Sequence, residues 1–161
     1  MKIKINCITV MFLLAFFTSG CVEISKKYHG NAVSSVNVVT LQEKGASAGR
    51  WETFDLVIDY EYIREGDDLE LSAQVALGQH QQRAYENIRR LDVYLFFLDE
   101  NSRVLETVSF VGNMFGSTEE LMKISRSYKT PAGTAGISFG YDGVVTTSFA
   151  ETSFYQLPLN K

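Results

Sequence analysis

The chain has 161 residues, with 15 Lys and Arg, 19 Asp and Glu, a net charge of −4 and 12% aromatic residues. That length suits one domain able to bury a full hydrophobic core, rather than two. An acidic balance without a Lys/Arg cluster argues against a nucleic-acid surface and against electrostatic binding to anionic lipid.

The chain opens with Lys2 and Lys4, an apolar run over residues 5–17, and then Thr18, Ser19, Gly20 and Cys21. At about 1.5 Å per residue the run spans roughly 20 Å, short of a hydrocarbon core of about 30 Å. It therefore reads as the core of an export signal, with the two lysines holding the N-terminus on the cytoplasmic side. An ordinary secretory signal and an uncleaved anchor are the alternatives. The run Thr18-Ser19-Gly20-Cys21 resembles the lipobox of bacterial lipoproteins, with Thr18 where that family usually has Leu. The resemblance implies cleavage between Gly20 and Cys21, a diacylglyceryl thioether on Cys21 and acylation of the new amine. Two or more acyl chains hold a protein stably on a membrane. Val22 stands where Asp favours inner-membrane retention in enteric-type bacteria, so the resemblance points to the outer membrane of a bacterial envelope.

The expected organisation is a cleaved signal helix over 1–20, a lipid anchor and flexible tether over 21–35, and one domain over 36–161. Cleavage takes Lys2 and Lys4 from the 15 basic residues, leaving 13 against 19 acidic, about −6. By the same resemblance Cys7 would leave with the signal and Cys21 would be lipidated, so no pair would remain for an intramolecular disulfide.

From Val36 onward the pattern is β. Val36, Val38, Val39 and Leu41 suggest a first strand, and the small residues 46–50 a loop. Residues 51–63 read as one strand, with Phe54, Leu56, Ile58, Tyr60 and Tyr62 alternating with mostly polar neighbours. Residues 64–68 make a turn and 69–77 the returning strand of a hairpin. Residues 78–90 break the pattern, with a short helix or ordered loop over 84–90. Residues 91–99 are apolar on both faces and predict a central strand covered on both sides. Residues 104–111 form its partner. Residues 112–120 are irregular, with Ser117 and Glu120 at capping-box spacing. Strands follow at 121–129 and 135–141. Asp142-Gly143 then reads as a hairpin turn into 144–150, and 154–157 as a last strand.

About eight or nine short strands separated by turn chemistry predict an all-β fold, a single antiparallel β-sandwich of immunoglobulin-like type. Residues 97–105 resemble the central hairpin of small envelope β-sandwiches such as the FxLYD domains.

The chemistry-bearing residues are few. His29 and His80 lie in polar segments with no ligand spacing for zinc, and the acidic turns at 65–68 and 99–101 lack the length and distal Glu of a calcium loop. Gly133, Gly136, Gly140 and Gly143 do not build a phosphate cradle. No catalytic grouping, metal site or cofactor is expected. Most aromatics belong to the core; Trp51, Tyr85 and Phe115, beside irregular loops, are the candidates for an exposed ligand-binding patch. The sequence thus points to a non-enzymatic, lipid-anchored envelope protein that meets a protein partner, or another copy of itself, through a strand or loop edge. The lipobox resemblance implies that the membrane contact runs through acyl chains on Cys21. The alternative is a lipoprotein that binds carbohydrate or a small apolar molecule with those aromatics.

Overall fold

The structure is a computed structural model and describes residues 26–159. Cys21 and the signal segment lie outside the described residues. Among the described residues, no helix is long and apolar enough to cross a membrane.

Among the described residues, after a 3-10 turn at Ser35–Asn37, nine strands and one short helix follow in order: β1 Val39–Thr40, β2 Lys44–Glu52, β3 Leu56–Glu65, β4 Asp68–Leu77, α1 Gln79–Ala84, β5 Asn87–Leu98, β6 Val104–Ser117, β7 Met122–Lys129, β8 Gly136–Thr146 and β9 Glu151–Gln156. They form two antiparallel sheets packed as an all-β sandwich. One sheet has the order β2-β3-β4-β7; the other runs β1-β8-β5-β6, with β9 also on β8.

Period-two alternation sets which side chains meet between the sheets. β4 reads exposed–buried along most of its length, with Leu69, Leu71, Ala73, Val75 and Leu77 inward. They join Ile58 and Tyr62 of β3 and face Leu91, Val93, Leu95 and Phe97 of β5, with Phe110, Phe139 and Tyr141. Burial of this apolar area is the main stabilising term. β5 lies between β6 and β8 and is covered on both sides, as its residues predict. Its outer face carries Phe96 and Leu98, which form a second cluster with Val33 and Val104.

That second cluster explains a difference from the expected tether. Residues 26–35 lie against the outer face of the five-stranded sheet. Tyr28 packs on Phe96 at 5.7 Å between ring centroids. The Gly30 amide donates to the Val104 carbonyl at 2.8 Å, and Val33 is 3% exposed. Despite its polar composition this segment places Tyr28 and Val33 on Phe96, Leu98 and Val104, beside Val38, Leu157 and Leu159.

Other expectations change. Residues 112–117 are not irregular but continue β6, and the first strand shortens to Val39–Thr40 after a 3-10 turn at Ser35–Asn37. Residues 46–50 are the middle of β2, not a loop, and residues 51–63 are divided by a turn at 53–55. The helix comes earlier than 84–90, because Asn87 already pairs with Ser117 and Thr146. Asp142-Gly143 is not a turn: both lie within β8, opposite Asp92 and Leu91, and the chain reverses at 147–150. A glycine is required there because a Cβ on Gly143 would sit 2.5 Å from Cζ of Phe154.

Candidate interaction site at the β2 edge

A sheet edge offers unpaired backbone donors and acceptors, and proteins normally guard it with short strands, bulges or charge. Three of the four edges here carry such guards. On one side of the five-stranded sheet β1 has two residues and β9 six. On the other, β6 is bulged against β5 at several points. In the second sheet β7 carries Lys123, Arg126 and Lys129 along its length.

β2 differs. It runs for nine residues in unbroken register with β3, and residues 45–49 are Gly, Ala, Ser, Ala and Gly. Small side chains leave the backbone accessible from both faces. Beside it, the outer face of the sheet holds a trough of 530 Å³ bordered by Ala48, Asp59, Glu61, Ser72, Lys123 and Ser125. On its inner side a second concavity of 470 Å³ opens between β1 and β2, where Val36, Ser47, Trp51, Tyr60 and Tyr62 meet.

Arg50 fixes the outer surface of this edge. Its Nε donates to Oδ1 of Asp59 at 2.6 Å and its Nη2 to Oδ2 at 3.0 Å, a forked pair across β2 and β3. The hydrogen bond first, and then the opposite charge, raise the Arg50 pKa; the same bond holds the Asp59 carboxyl below the ordinary carboxylate value. Tyr60 is raised above the usual phenol value by burial. Its ring covers Gly49, where a Cβ would lie 2.5 Å from the hydroxyl oxygen.

The three aromatic candidates do not converge. Trp51 is 4% exposed, because its position on β2 turns it inward against Phe139 and Tyr141. Its indole N–H donates to the Asn37 carbonyl at 3.3 Å. Tyr85 is half-buried, with its hydroxyl donating to Thr152 Oγ1 at 2.8 Å. It borders a separate 360 Å³ concavity with Arg83, Glu86, Thr118 and Thr147. The link between α1 and β5 meets the end of β6 there, since the Thr118 hydroxyl donates to the Tyr85 carbonyl at 2.8 Å. Phe115 stands 76% exposed on β6.

His80 approaches a carboxylate: Nε2 lies 3.3 Å from Oδ1 of Asp55, and the ring stacks on Phe54 at 3.7 Å. The Asp55 oxygens already accept from Gln81 Nε2 and from the Tyr141 hydroxyl, both at 2.9 Å. The group ties α1 to the turn at 53–55. Among the described residues no cluster of His, Cys, Asp and Glu could hold a metal ion. Sequence reasoning missed β2 because Gly, Ala and Ser carry no alternation to read. It missed the Asp55–Tyr141 contact because the two are far apart in the chain.

By fold the protein is an antiparallel β-sandwich. Compared with known protein families, with curated proteins and with solved structures, the chain matches none.

Proposed function

We propose that this protein is a lipid-anchored component of a bacterial envelope, without enzymatic activity, whose sandwich binds an extended protein segment by strand addition along β2. The β2 edge carries this reading: unbroken pairing with β3, small uncharged side chains over residues 45–49 and concavities on both faces. In strand addition main-chain hydrogen bonds supply affinity and flanking pockets supply selectivity. The lipobox-like run ending at Cys21 supports the anchor, and Val22 favours the outer membrane.

Two measurements test the two halves. Labelling with a clickable fatty acid is expected in the wild type and absent in Cys21→Ala; equal labelling of both would overturn the anchor. For the edge, Ala48→Pro removes one outward amide at a position where an edge strand tolerates proline. Envelopes crosslinked with a tagged full chain are expected to yield a partner that Ala48→Pro loses. An unchanged set of captured proteins would overturn strand addition at β2.

A further inference from the structure

The hydrogen-bond pattern of the sheet determines which β2 amides are free. The Thr53 amide donates to the Leu56 carbonyl, one step beyond Glu52 and Val57, the last pair of the β2–β3 register. Antiparallel pairs alternate between those that exchange backbone bonds and those that do not. Trp51, Gly49 and Ser47 therefore bond to β3, while Ala46, Ala48, Arg50 and Glu52 turn their amides and carbonyls away from it. The next strands agree: Gly78 donates to Asp55 and Thr130 to Asp67, each in the alternation this requires.

We infer that the occupant of the β2 edge is the β2 edge of a second copy, paired antiparallel about a two-fold axis at Ala48, so that Lys44 of each copy faces Glu52 of the other. This inference rests on the reading of β2 as the interaction edge and names its partner. An antiparallel two-fold at Ala48 sets Ala48 against Ala48, Ala46 against Arg50 and Lys44 against Glu52. All are residues whose backbone faces outward, so the hydrogen bonds fall in phase over residues 46–50. Ala46, Ala48 and Arg50 of the two copies would exchange about six backbone bonds. Gly45, at φ 125°, ends the regular run, so Lys44 contributes through its side chain.

Side chains agree with this register. Lys44, Ala46, Ala48, Arg50 and Glu52 are all exposed on the outer face. Among the described residues neither Lys44 nor Glu52 forms an ion pair within the chain. Across the two-fold each gains an opposite charge, and the long Arg50 lies over the short Ala46, leaving its fork on Asp59 intact. On the inner face Trp51 falls opposite Gly45. Moving the axis one residue, to Ser47, would set Lys44 against Arg50, a repulsive cross-strand pair. The result joins two four-stranded sheets into one continuous sheet. Confinement of both copies to one membrane by their anchors would raise their effective concentration.

The test uses the full chain in excess detergent, with sedimentation velocity across a wide concentration range. Wild type is expected to associate as a dimer. Lys44→Glu and Glu52→Lys should each weaken it on the order of tenfold, because two attractive cross-strand pairs become repulsive. Mixing the two single variants should restore wild-type affinity. In the mixed dimer the glutamate introduced at position 44 of one copy meets the lysine introduced at position 52 of the other. The unaltered Lys44 and Glu52 then form the second attractive pair. That recovery also shows that both variants are folded. A wild type that stays monomeric, or a dimer indifferent to both reversals, would overturn the self-pairing. If partner capture still depends on Ala48, strand addition at β2 survives with a different protein as its occupant; if neither is seen, both readings fall.

Discussion

The hydroxyl of Tyr141 donates to the Asp55 carboxylate at 2.9 Å, linking the turn between β2 and β3 to the middle of β8 in the opposite sheet. Thr53 Oγ1 lies 3.0 Å from the same hydroxyl, so one phenol holds both ends of the turn. Tyr141→Phe removes these bonds and leaves the ring in place. Asp55 retains Gln81, so the expected loss is about 1–2 kcal/mol, read as a lower urea midpoint with unchanged slope. An unchanged midpoint would mean that the contact contributes nothing net.

Tyr128 gives the opposite sign. It packs edge-on against Phe97 at 5.7 Å, and its buried hydroxyl has no hydrogen-bond partner. Burial pushes its pKa from 10.0 up to about 12. The folded state therefore favours the neutral phenol. Its contribution is fully present below the unfolded value near 10 and is lost as pH rises through the folded value near 12. Tyr128→Phe should be neutral or stabilising by up to about 1 kcal/mol at pH 7, because an unpartnered polar atom is removed. The variant should also lose less stability than wild type between pH 10 and 12. Denaturant titrations at several alkaline pH values check both statements, and a destabilised variant at pH 7 would contradict the first.

How much of this was legible beforehand depends on which side chains announce themselves. β3, β4 and β5 alternate apolar and polar residues, or carry apolar residues on both faces, and their places in the sandwich follow directly. β2 is invisible to that logic because five successive small residues have no hydrophobic period. Asp142-Gly143 misleads for a different reason: the glycine is there to admit the Phe154 ring, and it sits in extended backbone opposite Leu91. Trp51 looks like a surface aromatic beside a loop only while residues 46–50 are read as one. Once they are strand, its inward direction is fixed. Cross-sheet partners such as Asp55 and Tyr141 leave no local trace.

The role of Gly143 is open to direct test. A methyl group there would meet the Phe154 ring at 2.5 Å and the Arg90 carbonyl at 3.1 Å. Gly143→Ala should destabilise by about 1–3 kcal/mol, the usual cost of overpacking. Adding Phe154→Leu, which vacates the ring position, should recover part of that loss relative to Phe154→Leu alone. Simple additivity of the two changes would show that the ring is not the obstacle.

Arg90 resolves a local conflict. Asp92 and Asp142 are direct cross-strand partners on β5 and β8, an unfavourable pairing of like charges. Arg90 lies between them, with Nη1 at 3.2 Å from Asp92 and Nη2 at 3.0 Å from Asp142. The guanidinium is partly exposed, so solvent screens its effect. Arg90→Met should cost about 0.5–1 kcal/mol at low salt. Asp142→Asn in that background should restore most of it, because the repulsion is then gone. A double variant no more stable than the single would show that Arg90 acts through packing of its stem.

The segment before β1 supplies the sharpest contrast between a docked and a free N-terminal region. Val33 is 3% exposed among Phe96, Leu98 and Val104, and its amide donates to the Ser102 carbonyl at 2.8 Å. Val36, three residues on, is 85% exposed. Val33 lies in the stretch that reads as a tether and Val36 opens the run that reads as strand, yet Val33 is the buried one and Val36 the exposed one. Val33→Ala removes two buried methyl groups' worth of packing and should cost about 2 kcal/mol, once the cavity is included. Val36→Ala should change stability by less than about 0.5 kcal/mol, as surface substitutions do. Thermal melts of the two variants side by side decide the matter. If residues 26–35 were a free tether the two would melt with the wild type, and the outer face of β5 would then need another cover.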